Sequence, residues 1–127
     1  MRRWTSERGA AAVEFALVLP LLLLLVFGIV EFGRAFQVQA TLSAAAREGV
    51  RVMAVQDDQA AARAAVRSAS TGLPSVPSDI QIAVTPLSCS ATAGNATVTI
   101  HYRLESLTGF FGWGYDLTGE GVMRCSG

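Results

Sequence analysis

The chain has 127 residues, of which ten are acidic and ten basic, so its formal net charge is zero. That length fits one small domain, and a balanced charge excludes nucleic acid as the main partner, because phosphate binding needs surplus cations. Apolar residues at 51% against charged residues at 16% exclude a disordered tail; the mean hydropathy of +0.40 is high for a soluble globule, and the excess lies near the N-terminus.

Residues 10–30 read AAAVEFALVLPLLLLLVFGIV, with Glu14 the one charge. As a helix this run is about 31 Å long, enough to cross a hydrocarbon core of roughly 30 Å. The leucines from Leu21 to Leu25 leave no polar face for an amphipathic surface helix. Pro20 removes one backbone hydrogen bond, which membrane helices tolerate. Arg2, Arg3 and Arg8 crowd the N-terminal flank against Glu7, whereas Glu31 and Arg34, then Arg47, Glu48 and Arg51, follow the run. The positive-inside rule then predicts a cytoplasmic N-terminus and a single-pass protein of the cell membrane, with the rest of the chain extracytoplasmic. A cleavable secretory signal is the alternative. Its apolar core would be roughly 7–15 residues long and closely followed by small residues. Here the nearest such site, Val38-Gln39-Ala40, lies well past Val30 and beyond two charges.

Glu14 falls about 6 Å past Ala10 by helix rise. Two readings stand. It can be an interfacial carboxylate that snorkels to water or favours the positive helix end. The second starts from Arg8-Gly9-Ala10-Ala11-Ala12-Val13-Glu14-Phe15, which resembles a type IV prepilin processing site: a short basic leader ending in Gly, and a mature chain with Glu as its fifth residue. The resemblance implies cleavage between Gly9 and Ala10 by a prepilin peptidase. Cutting there creates an α-ammonium that Glu14, of the same or a neighbouring subunit, can neutralise, so neither charge enters the apolar layer alone. Such pilins usually begin their mature chain with a bulky residue, and this one would begin with Ala10. The wider pattern is Gly9 to Pro20, the Leu run, Gly28-Ile29-Val30-Glu31-Phe32-Gly33-Arg34, then Ala44-Ala45-Ala46-Arg47-Glu48-Gly49-Val50-Arg51. It resembles the TadE family, pseudopilins of the tight-adherence (Flp) pilus system, over about the first 50 residues. The resemblance implies membrane lipid, prepilin peptidase, other pilin-like subunits and the pilus assembly platform as partners.

Beyond Val30 the helical pattern continues. Val38, Leu42, Ala45, Gly49 and Val52 make one apolar stripe, with Gln37, Thr41, Ala44, Glu48 and Arg51 on or near the other side. A helix from about Ala10 to Val55 would be roughly 69 Å long. Its second part can pack against neighbouring subunits, its own C-terminal domain, or both. Asp57 or Asp58 can cap a second helix, predicted from Gln59 to Ser70, in which Arg63 and Arg67 read as a solvated face. Thr71 to Ser78 reads as a loop.

Alternation predicts strands at Ile80–Val84, ending at Pro86, and at Val98–Leu104. Tyr115, Leu117, Met123 and Cys125 share one parity, in a last strand that Gly119 and Gly121 weaken. Cys89 and Cys125 are the two cysteines. A bridge between them would close a loop of about 36 residues and contribute roughly 3–4 kcal/mol to a core of marginal size; two free buried thiols are the alternative. Phe110, Phe111 and Trp113, in a glycine-rich loop, are candidates for partner or membrane contact, or else rings that cover a sheet edge. Asn95-Ala96-Thr97 reads as a turn into a strand. His101 is the one histidine. There is no metal-ligand spacing, nucleophile elbow or phosphate-binding glycine loop, so neither an enzyme nor a cofactor is expected.

These readings combine into a membrane-anchored α+β protein with a long N-terminal transmembrane and stalk helix, a short second helix and a small, mainly antiparallel three-stranded sheet. Its predicted parts are a leader at 1–9, a transmembrane helix at 10–30, a helical stalk at 31–56 and an extracytoplasmic domain at 57–127. The function implied is that of a TadE-like minor pilin or pseudopilin. The alternative is a single-pass anchored binding module with no pilus role.

Overall fold

The computed structural model describes residues 6–74, 80–91, 94–107, 109 and 112–125. In chain order these form α1 (Ser6–Gln56), α2 (Gln59–Ala69), β1 (Gln81–Thr85), β2 (Asn95–Glu105) and β3 (Gly114–Arg124). The fold is α+β, with the long apolar helix, the short helix and the three-stranded sheet that the sequence predicts. Arg2, Arg3 and the loop positions 75–78 lie outside the described residues. The chain divides into two compact units, Met1–Arg34 and Ala35–Gly127.

In the first unit α1 is apolar all round from Phe15 to Val30. Phe15, Leu17, Leu21, Leu24 and Ile29 are each more than half exposed, so no polar face marks a water-facing side. An 18-residue window of α1 has a mean hydropathy of 2.8, and by length and composition the helix can cross a membrane. Pro20 lies inside it.

In the second unit α1 changes character. It buries Val38, Leu42, Ala45, Ala46, Gly49, Val50, Met53 and Ala54. The predicted stripe holds through Gly49. Beyond it the buried face passes through Val50 and Met53, and Val52 is only half-buried. Spacings of four drift around a 3.6-residue helix, so the face rotates along its length.

Asp57 takes a left-handed φ of 53° and ends α1. Asp58 then caps α2, accepting from the N–H groups of Ala60 at 2.8 Å and Ala61 at 3.3 Å. α2 buries Ala62 and Val66. The sheet is a meander in the order β1-β2-β3, antiparallel throughout. Its inner face carries Ile82, Val84, Ala96, Val98, Ile100, Tyr102 and Leu104 into one core with α1 and α2. Thr99, His101, Arg103 and Glu120 lie on the outer face, as period-2 alternation dictates.

Two readings are corrected. Arg63 is not a solvated side chain: it donates to the Ile82 carbonyl at 2.8 Å. One helical turn away, Gln59 donates to the carbonyls of Val84 at 3.0 Å and Pro86 at 3.2 Å. The pair satisfies the outer edge of β1, which no strand among the described residues covers. Nor are Gly119 and Gly121 mere weak points. A Cβ on Gly119 would sit 2.6 Å from the Leu42 carbonyl, and one on Gly121 would sit 2.6 Å from the Ala46 carbonyl. The glycines let the backbone of α1 lie directly on β3.

Candidate functional site

The predicted site residues fall in different units. Gly9, Ala10 and Glu14 all lie in α1 and are exposed. Apart from the adjacent backbone of its own helix, nothing described comes within 4 Å of where a Gly9 side chain would begin. The Gly9–Ala10 bond is helical, so a cut there would require local unwinding, which glycine eases. Ala10 and Glu14 are one turn apart, so the Glu14 side chain and a new terminus at Ala10 would share a face.

In the second unit Cys89 and Cys125 are joined by a disulfide with a Cα–Cα distance of 5.4 Å. The bridge ties the segment after β1 to the end of β3 and encloses β2 and β3. Beside it the Cys125 N–H donates to the Gly94 carbonyl at 2.9 Å.

Sequence reasoning missed the role of Asp57. Its carboxylate accepts from the Ser88 hydroxyl at 2.8 Å, from the Ser90 N–H at 3.1 Å and from the Cys89 N–H. The Ser88 and Ser90 hydroxyls also meet, at 2.8 Å. The Ser90 and Ser88 hydroxyls, followed by the Cys89 N–H, hold the Asp57 carboxyl down at about 2. Stabilising the charged form by hydrogen bonds is what lowers a carboxyl pKa. Asp57 thus clamps the disulfide-bearing segment onto the end of α1. The flanking Ser88 and Ser90 were the one trace of this in the sequence.

Of the predicted aromatic contact residues, Phe110 and Phe111 lie outside the described residues, and Trp113 is 68% exposed. Between β2 and β3, among the described residues, the Gly109 N–H donates to the Ser106 carbonyl at 3.3 Å and the Gly112 N–H to the Gly109 carbonyl at 3.4 Å. Ser106 N–H closes the loop onto the Trp113 carbonyl at 3.2 Å. Gly109 and Gly112 have φ of 55° and 59°, a conformation that favours glycine.

The outer sheet face carries the cross-strand pair Arg103–Asp116, at 3.4 Å, and His101 beside the Thr118 hydroxyl, at 3.3 Å. Among the described residues no three His, Cys, Asp or Glu side chains gather to hold a metal ion.

Residues 9–51 match the family model described as TadE-like protein. The match covers the residues on which the sequence resemblance rests, from Gly9 and Glu14 to the Ala44–Arg51 motif. No curated protein and no solved structure matches the chain.

Proposed function

We propose that the protein is a TadE-like pseudopilin, a structural subunit in assembly of a tight-adherence (Flp-type) pilus, with no catalytic role and no cofactor. The observation that carries this reading is the TadE-like match over residues 9–51, which begins at the residue expected to end a prepilin leader. The uniformly apolar, exposed run of α1 supports a helix held in lipid. The basic residues before that run favour a cytoplasmic N-terminus, and the disulfide fits a C-terminal unit in an oxidising space.

On this reading a prepilin peptidase cuts between Gly9 and Ala10. The mature chain keeps its helix in the membrane, beside other pilin-like subunits and the assembly platform. N-terminal sequencing of membrane-extracted protein from cells holding the peptidase tests the cut. The expected mature start is Ala10, and Gly9→Leu should leave the full chain. Finding only Met1 or Arg2 as the start in the unaltered protein would reject processing, leaving a signal-anchored binding module as the better reading.

A further inference from the structure

The two halves of the disulfide are held in different ways, both within the second unit. Cys125 follows β3, and its N–H donates to the Gly94 carbonyl at 2.9 Å, which extends the β2–β3 register by one pair and fixes it to the sheet. Cys89 lies between β1 and β2, outside the strand pairing. The junction of α1 and α2 holds it instead. Gln59 donates to the Pro86 carbonyl at 3.2 Å, and the Asp57 carboxylate accepts from the Ser88 hydroxyl, the Cys89 N–H and the Ser90 N–H. Charge-assisted bonds from three consecutive residues leave the backbone around Cys89 little freedom to turn.

Their exposure differs as well. Cys89 belongs to the core and is 5% exposed. Cys125 packs against that core and is half-buried. It follows Met123 and Arg124, both exposed, on an outer strand of the sheet. A reagent arriving from solvent therefore meets Cys125 before Cys89.

Disulfides form by exchange, in which a thiolate attacks a sulfur of an existing disulfide. We propose that the Cys89–Cys125 bridge forms in a fixed order: an external disulfide donor first joins Cys125, and Cys89, positioned by Asp57, then displaces it. In the first step the Cys125 thiolate attacks the donor, a Cys125–donor S–S bond forms, and one donor thiolate leaves and takes up the proton that Cys125 gave. In the second the Cys89 thiolate attacks the Cys125 sulfur, the bond to the donor breaks, and the second donor thiolate leaves and takes up the Cys89 proton. Two thiols are oxidised, and the donor is reduced by the same two electrons. Asp57 is a positioning residue that acts through the Cys89 backbone. Its grip makes the second step an attack between groups already facing each other, which raises their effective concentration. The order concerns the second unit alone and does not depend on the pilus reading.

The test uses the full chain in detergent, with oxidised glutathione as donor and mass as readout. Cys89→Ser should gain one glutathione on Cys125. Cys125→Ser should gain it severalfold more slowly, and the two should react alike in guanidinium. Equal rates without denaturant would overturn the order, which needs a fold that hides Cys89 before the bridge exists. For Asp57 the starting point is the reduced chain with both cysteines. Asp57→Asn should slow the second step severalfold, so that the glutathione adduct accumulates, and Ser88→Ala should do so to a smaller degree. Asp58→Ala removes the cap of α2 at the same junction and leaves the bonds to residues 88–90 in place. It should close the bridge at the unaltered rate. If Asp57→Asn also closes at that rate, or if Asp58→Ala is slowed as much as Asp57→Asn, Asp57 supports the fold in general and does not position Cys89.

Discussion

Asp57 and Asp58 are neighbours in sequence with different partners, and the backbone decides which is which. Asp58 has the extended conformation of an N-cap, with φ of −128°, and bonds the first N–H groups of α2. Asp57, at φ 53°, is turned the other way, toward Ser88, Cys89 and Ser90. Its carboxyl is depressed from 3.8 to about 2. A depressed carboxyl contributes stability that is full above the unfolded value and lost as the pH falls through the folded one. The contribution should therefore be complete above about pH 4 and decline toward pH 2. Melting of the full chain in detergent at pH 7, 4 and 2, beside Asp57→Asn, isolates it. The unaltered chain should be the more stable at pH 7, and the gap should narrow between pH 4 and 2. A gap that does not change with pH would show that the ionised carboxylate is not what holds the segment. Asp58→Ala should cost about 1 kcal/mol, as the loss of an N-cap does.

The elements themselves were legible because their periods are clean. Ile80, Ile82 and Val84, and Val98 through Leu104, alternate and are buried where alternation puts them. The stripe Val38–Leu42–Ala45–Gly49 recurs at helical spacing and faces the core. What period and propensity do not carry is contact between elements. Glycine is a poor strand former by propensity, so Gly119 and Gly121 read as weak points until the α1 backbone is seen against them. Arg63 read as a surface charge because its acceptor, the Ile82 carbonyl, lies 19 residues away. Asp57 was hidden for the same reason, its partners being 31–33 residues distant. The two views of Gly121 predict opposite signs. On propensity alone, Gly121→Val should stabilise β3. On the packing, any side chain there meets the Ala46 carbonyl, a backbone atom that cannot swing aside. We expect Gly121→Ala to destabilise the fold by about 1–3 kcal/mol, the usual cost of overpacking, and Gly121→Val to do so further. Gly33→Ala, where the new methyl would meet nothing within 4 Å beyond the adjacent backbone of its own helix, serves as the control. Unfolding followed by near-ultraviolet circular dichroism reads the difference, and a stabilising Gly121→Val would refute the packing account.

For the whole molecule, the candidate processing site was readable from a local motif, since the basic residue, glycine and glutamate lie within seven residues from Arg8 to Glu14. Its consequence is not local. In the proposed pseudopilin the cut converts a peptide bond at Ala10 into a cation beside an apolar run, and Glu14 is the carboxylate within one turn of it. A cation and a carboxylate that face each other at the edge of lipid cost far less than either alone. A partner in the neighbouring subunit would make that pairing a condition of assembly, and not of folding. The C-terminal core begins at Val38 and shares no residue with the site. Glu14→Gln should therefore leave three properties unchanged: the mature start at Ala10, membrane flotation, and the Cys89–Cys125 bridge read by mass with and without reductant. What should fall is recovery of the protein in covalently cross-linked complexes with other pilin-like subunits. If Glu14→Gln cross-links as well as the unaltered chain, Glu14 is an interfacial carboxylate with no pairing role. If instead it blocks the cut, the residue belongs to peptidase recognition, and the charge-pairing account of assembly is wrong.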